Sequence, residues 1–95
     1  MDNRKLAEEI IKNVGGKENI ISAEHCATRL RLHLKDFSLR DDETIMDLED
    51  VKGTNLSNGQ YQIILGSGKV NLVTDEVVKI IGDEKKSDAP VEKEG

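Results

Sequence analysis

Segment 28–35 alternates apolar and polar side chains more regularly than any other part of this chain. Its apolar positions are leucines and the positions between them are mostly cationic: Leu30, Leu32 and Leu34 among Arg29, Arg31, His33 and Lys35. Because successive side chains of a strand point to opposite faces of a sheet, this period of two predicts a half-buried strand. The sequence therefore predicts a sheet that has a core on one side and a cationic surface on the other.

The remaining elements follow from shorter patterns along the chain. Apolar spacing predicts helices over residues 3–14, 42–49 and 70–81, and strands over residues 19–25, 51–56 and 60–65. Gly15-Gly16 ends the first helix, and Asn58-Gly59 predicts a hairpin turn because both residues tolerate positive φ. The resulting order α-β-β-α-β-β-α favours an α+β fold, with an antiparallel or mixed sheet and helices on one face.

Size and charge exclude several classes of protein. With 95 residues and 36% hydrophobic side chains, the chain is expected to form one small globular domain. Its formal net charge is -5, and Phe37 and Tyr61 are its aromatic residues, which argues against a nucleic-acid surface. Its longest apolar runs have a few residues, whereas a membrane span needs about 20. The sequence thus predicts a cytoplasmic domain that binds no nucleic acid and inserts nothing into a membrane.

The carboxyl-terminal residues differ in composition from the rest of the chain. Residues 82–95 combine five acids and three bases with a proline and very few apolar side chains. Such a segment cannot bury enough apolar surface to offset the entropy lost on ordering. We therefore predict a folded domain over residues 1–81 and a disordered charged tail or linker over residues 82–95.

Two familiar kinds of ligand site are not supported by the sequence. The Gly-Ser-Gly turn at residues 66–68 suggests a phosphate loop, but Val70 stands where such a loop needs serine or threonine. A turn that starts the last helix explains these glycines better. His25, Cys26 and His33 lack a recognised zinc spacing, so neither a metal nor a cofactor is predicted.

One cluster of residues does indicate chemistry. Cys26, the single cysteine, lies where the predicted strand over residues 19–25 ends and the predicted strand over residues 28–35, the leucine strand, begins. Cationic neighbours lower the pKa of a thiol and favour the nucleophilic thiolate. Arg29 and Arg31 share one strand face, so two guanidiniums can converge on a phosphoryl group, and Thr28 adds a hydroxyl donor. The competing interpretations are an inert, buried cysteine and a solvated pair of arginines.

Two motifs in this chain resemble those of a known family. Residues 26–31, Cys-Ala-Thr-Arg-Leu-Arg, are similar to the phosphorylation-site signature of IIB domains of the bacterial phosphoenolpyruvate-dependent sugar phosphotransferase system, glucose superfamily. Residues 59–66, Gly-Gln-Tyr-Gln-Ile-Ile-Leu-Gly, are similar to the second hallmark of these domains. His25 before the cysteine and residues 34–36 after the strand resemble the β-glucoside, sucrose and trehalose branch most. The resemblance covers residues 4–81.

This resemblance implies a fold and a reaction. The implied fold is a four-stranded antiparallel sheet with three helices on one face, which agrees with the element order above. Cys26 would take a phosphoryl group from a phosphohistidine of a IIA domain and pass it to a sugar held by a membrane IIC domain. Arg29 and Arg31 would stabilise the transferring group, while Thr28 and the backbone around Ala27 would bind the phosphate. Such a domain works at the inner face of the bacterial cell membrane.

Two other functions stay open at the level of the sequence. A IIB-like fold could serve as a non-enzymatic module that docks a regulatory protein, although the cysteine and both arginines are retained. Cys26 could instead be a redox-sensing thiol, but the chain holds no second cysteine to resolve an oxidised form.

Overall fold

The leucine strand is an inner strand of a four-stranded antiparallel sheet. A computed structural model describes residues 2–88 of the chain, with side chains for residues 2–82. Its α-helices and strands are α1 (Asn3–Asn13), β1 (Ile20–His25), β2 (Arg29–Leu34), α2 (Asp42–Met46), β3 (Gly53–Ser57), β4 (Gln60–Ile64) and α3 (Lys69–Asp88). The strand order is β1-β2-β4-β3, every neighbouring pair is antiparallel, and positive φ at residues 58–59 makes the predicted hairpin turn. The predicted α+β fold is confirmed.

One face of the sheet is covered by the helices and carries the core. Leu30 and Leu32 of β2 and Ile63 of β4 are fully buried there. They belong to one apolar cluster with residues of all three α-helices: Leu6, Ala7, Ile10, Ile11, Ile45, Val70, Val73, Val77 and Ile81. Burying a large aliphatic side chain contributes about 1.5–3 kcal/mol to the free energy of unfolding. This covered face of the sheet, which we call the leucine face, therefore supplies much of the stability.

Strand pairing decides which polar residues meet on the opposite face. Arg31 of β2 lies directly opposite Glu24 of β1 on one side and Gln62 of β4 on the other. Because paired residues of neighbouring strands point the same way, these three side chains share the face away from the core. We call this the open face of the sheet; it reaches the connection between β1 and β2.

The connection between α2 and β3 is longer than the sequence predicted. The helix α2 ends at Met46 instead of residue 49, and β3 begins at Gly53 instead of residue 51. Between them, the Leu48 amide donates to the Ile45 carbonyl (3.1 Å) and the Val51 amide donates to the Leu48 carbonyl (3.0 Å). These tight turns bring the side chains of Leu48 and Val51 against the core without a further turn of helix.

The last helix is longer than the sequence predicted. Because α3 runs to Asp88, the predicted helix end at residue 81 is corrected. The boundary between a folded domain and a tail at residues 81 and 82 stays a prediction. A single glycine such as Gly82 costs a helix only about 1 kcal/mol, and good helix formers follow it before Pro90. Residues 89–95 of the predicted tail lie outside the described residues, and its role as a linker stays a prediction. Within the described range, neither α3 nor another helix is long and apolar enough to cross a membrane.

Candidate active site

Cys26 lies in the tight connection between β1 and β2. Its amide donates to the carbonyl of Arg29 at 3.0 Å, which closes a short loop with Ala27 and Thr28 at an exposed tip. The cysteine side chain is itself only partly buried. The thiol is therefore at the end of two strands, where another molecule can reach it while the sheet holds its position.

The surroundings of the Cys26 sulfur favour the thiolate. Three donors form hydrogen bonds to it, in decreasing order of effect the amide of Thr28, the guanidinium of Arg31 and the amide of Arg29. The distance from Arg31 Nη2 to Cys26 Sγ is 3.5 Å. These donors lower the thiol pKa from its ordinary value of 9.0 to about 7. Burial raises the pKa, but its effect is smaller than that of the three hydrogen bonds. A large share of the thiol is thus nucleophilic thiolate at neutral pH.

The loop that carries the thiol is fastened to the end of β4. The carbonyl of Thr28 accepts hydrogen bonds from the amides of Leu65 (2.9 Å) and Gly66 (3.1 Å). Gly66 has a φ of 91°, which favours glycine, and a Cβ there would lie 3.2 Å from Lys52 Cε. The glycine turn at residues 66–68 therefore does more than start α3, because it also positions the cysteine loop.

The two arginines of the predicted cluster share the open face but have different partners. The Arg31 guanidinium reaches the sulfur, as described above. Arg29 Nη1 instead donates to Gln62 Oε1 at 2.8 Å, which directs its guanidinium toward β4. The structure brings Cys26, Thr28 and Arg31 together, with Arg29 contributing its backbone amide to the thiol and its side chain to a neighbouring strand.

Two glutamines of β4, neither of them among the residues predicted for the site, extend this network. Gln60 Oε1 accepts hydrogen bonds from Arg31 Nη1 (2.9 Å) and from Gln62 Nε2 (3.1 Å). Hydrogen bonds therefore connect Arg29 to Gln62, Gln62 to Gln60, Gln60 to Arg31, and Arg31 to Cys26. The signal was the alternation of both glutamines with apolar residues, which sets both amides on one face of their strand.

The two histidines of the chain contact groups other than the sulfur. His25 Nδ1 lies 3.0 Å from the carbonyl oxygen of Cys26, which is a contact with the backbone. His33 Nε2 lies 3.2 Å from Glu24 Oε2 and 3.2 Å from Gln60 Nε2. Among residues 2–82, whose side chains the structure describes, no group of three or more histidine, cysteine, aspartate or glutamate side chains is placed to hold a metal ion.

A second polar cluster lies on the helix side of the sheet and has a structural role. Asp42 Oδ1 accepts hydrogen bonds from the hydroxyls of Tyr61 (2.6 Å) and Thr54 (2.7 Å). The Thr54 bond first, then the Tyr61 bond, hold the pKa of Asp42 below its ordinary value, and the charge of Arg40 acts in the same direction. These contacts tie the start of α2 to β3 and β4.

The sequence of this chain is similar to that of known proteins of one family. Residues 8–41 match the family model described as phosphotransferase system, EIIB. The PTS system sucrose-specific EIIBC component of Staphylococcus xylosus is 47% identical over 95 residues, which are 100% of this chain and 20% of that protein. The trehalose-specific EIIBC component of Bacillus subtilis (strain 168) is 47% identical over 78 residues, 82% of this chain and 17% of that protein. The chain thus spans about a fifth of the length of these curated relatives.

A solved structure extends the likeness to the fold. It is the crystal structure of one domain of the PTS system, IIabc component, from Clostridium difficile, with a TM-score of 0.78 and 49% sequence identity. The match covers 82% of this chain and 81% of that one. Since sequence and fold agree over most of both chains, the resemblance of the two motifs is confirmed: this chain belongs to the phosphotransferase system EIIB family.

Proposed function

We propose that Cys26 accepts a phosphoryl group from a IIA phosphohistidine and passes it to a sugar held by a membrane IIC domain. The observation that supports this most strongly is the activated thiol. Cys26 is partly exposed, the pKa of its thiol is about 7, and the sulfur receives hydrogen bonds from two amides and from Arg31. Phosphoryl transfer depends mainly on positioned donors and positive charge, which are the groups around this sulfur.

In the first step, the Cys26 thiolate attacks the phosphorus of the phosphohistidine. An S–P bond forms while the P–N bond breaks, and the donor imidazole leaves with the electron pair. The amides and the Arg31 guanidinium that face the sulfur are then next to the negative phosphoryl oxygens. The Ala27 amide and the Thr28 hydroxyl, at the exposed tip of the loop, supply further donors.

In the second step, a sugar hydroxyl attacks the phosphorus of the phosphocysteine. An O–P bond forms, the S–P bond breaks, and the thiolate leaves, while the hydroxyl proton goes to solvent or to a base of the acceptor domain. A thiol of low pKa is a good leaving group, so the arrangement that activates Cys26 also favours this step. Arg29 stabilises the transferring group by exchanging the neutral Gln62 amide for a phosphoryl oxygen, which is a stronger, charge-assisted partner.

The partners are inferred from the relatives. The relatives from Staphylococcus xylosus and Bacillus subtilis are EIIBC components, and a relative from Pediococcus pentosaceus is a sucrose-specific EIIBCA component. We infer that this chain works beside a IIC domain at the inner face of the cell membrane and receives its phosphoryl group from a IIA domain. The sugar belongs to the class that includes sucrose and trehalose. Arginines and amides supply the charge stabilisation, so neither step calls for a metal or a cofactor.

An intact-mass measurement tests the proposal. The chain is incubated with phosphoenolpyruvate, the general phosphotransferase proteins and a IIA domain, and we expect it to gain the mass of one phosphoryl group. Cys26→Ser should gain none, because the serine hydroxyl is not ionised at neutral pH. Ser57→Ala changes β3 away from the thiol and should keep the adduct. A missing adduct in the unaltered chain, or an adduct that persists in Cys26→Ser, would reject the proposal.

A further inference from the structure

Gln60 bonds to the same guanidinium that contacts the thiol. Arg31 Nη1 donates to Gln60 Oε1 at 2.9 Å, and Arg31 Nη2 donates to Cys26 Sγ at 3.5 Å. A guanidinium is planar and presents its donors in a fixed fork, so holding Nη1 also determines where Nη2 lies. The contact between Gln60 and Arg31 therefore controls how close the positive charge stands to the sulfur.

Neighbouring donors fix the orientation of the Gln60 amide. Its oxygen accepts from Arg31 Nη1 and from Gln62 Nε2, so a reversed amide would set N–H groups against N–H groups. The Gln62 amide is fixed in turn, because its oxygen accepts from Arg29 Nη1 at 2.8 Å. The oxygen of Gln60 is thus a firmly oriented acceptor for the Arg31 guanidinium.

Without Gln60, Arg31 would have an anionic neighbour to turn to. Glu24 is paired directly with Arg31 in the neighbouring strand β1. The Glu24 carboxylate is now directed to His33, with 3.2 Å between Oε2 and Nε2. Because a charge-assisted hydrogen bond is stronger than a neutral one, a guanidinium released from Gln60 would move toward this carboxylate. Such a movement would draw the positive charge away from the sulfur.

We propose that Gln60 is a positioning residue for the cysteine nucleophile: it holds Arg31 on the Cys26 sulfur and keeps Arg31 from pairing with Glu24. The importance of this role for transfer rests on the proposed function of Cys26. Gln60 acts on the thiol through Arg31, so the effects of replacing the two residues must overlap instead of adding.

The pH profile of Cys26 alkylation by iodoacetamide tests this role, because the rate follows the thiolate and needs no phosphoryl donor. Gln60→Met removes the amide at similar length, and Gln60→Ala removes it without adding a new side chain. Both should move the midpoint upward from about 7. At neutral pH we expect alkylation to slow about two- to threefold, since a smaller fraction of the thiol is ionised. Ser57→Ala, whose side chain lies opposite Gln60 on β3, should leave the profile unchanged.

The decisive comparison uses an Arg31→Met background, in which Gln60→Met should have no further effect on the profile. A Gln60→Met profile equal to that of the unaltered chain, or a shift that persists in full without Arg31, would overturn the positioning role. Thermal unfolding checks that each variant is folded, and Gln60→Ala decides the question if Gln60→Met is not. The intact-mass experiment separates the two proposals. A thiol that responds to Gln60 but accepts no phosphate would reject the proposed function and leave the positioning role standing.

Discussion

The two faces of β2 have different roles, although their residues alternate along one strand. Leu30 and Leu32 are fully buried against the helices. Arg29 and Arg31, on the open face, are partly exposed and bond to glutamine amides and to the thiol. Removal of apolar surface from water stabilises the first face, whereas oriented hydrogen bonds hold the second. Stability and thiol reactivity should therefore respond to different substitutions in the same strand.

The register of the sheet connects the two faces. A slip of one residue between β2 and β4 would move the leucines to the open face and the arginines into the core. Burial of the leucines opposes that slip, and the same register keeps Arg31 opposite Gln62 and within reach of Gln60. The leucine face thus determines the geometry of the open face without contributing a group to it.

Truncating a buried side chain of the leucine face should destabilise the protein most. Leu32→Ala removes atoms from a fully buried site and should lower the free energy of unfolding by about 2–5 kcal/mol. Lys35→Ala, at the exposed residue that follows the strand, is the control and should change it by no more than about 0.5 kcal/mol. Urea unfolding followed by circular dichroism measures both. If the two variants were equally stable, the separation of the faces would be wrong.

An intermediate effect is expected at Tyr61, whose hydroxyl bonds to Asp42 on the helix side of the sheet. The pKa of Asp42 is lowered on folding, so its contribution is present above the unfolded pKa and is lost as pH falls through the folded pKa. Tyr61→Phe should cost about 1–3 kcal/mol at neutral pH and less in acid, where the carboxyl is protonated. Urea midpoints across the carboxylate range measure this. A cost independent of pH would mean that ionised Asp42 is not the relevant acceptor.

The smallest effect should separate the two arginines of the open face. Arg31→Met removes one donor from the sulfur, but the Thr28 amide is the larger cause of the low thiol pKa. Alkylation of Cys26 at neutral pH should therefore slow only about two- to threefold. Arg29→Met removes a side-chain donor from Gln62, which reaches Arg31 only through Gln60, and should slow alkylation less than Arg31→Met does. Equal rates in the two variants would contradict their unequal placement around the thiol.

Local patterns predicted the covered sheet face and the exposure of both arginines, because a period of two requires no knowledge of the tertiary structure. They did not predict that Gln60 meets Arg31. That contact depends on which strands pair and in which register. The pattern of one segment does not determine which distant segment pairs with it. The end of α3 was mispredicted for another reason, since Gly82 by itself is too weak a signal to stop a helix.

The folded cysteine loop, and not the local sequence, should make Cys26 a thiolate near neutral pH. Titration of the thiolate absorbance tests this directly, because Cys26 is the single cysteine of the chain. The folded chain should titrate with a midpoint of about 7, and the chain in denaturant should titrate near the ordinary value of 9.0. The same midpoint in both states would contradict the claim.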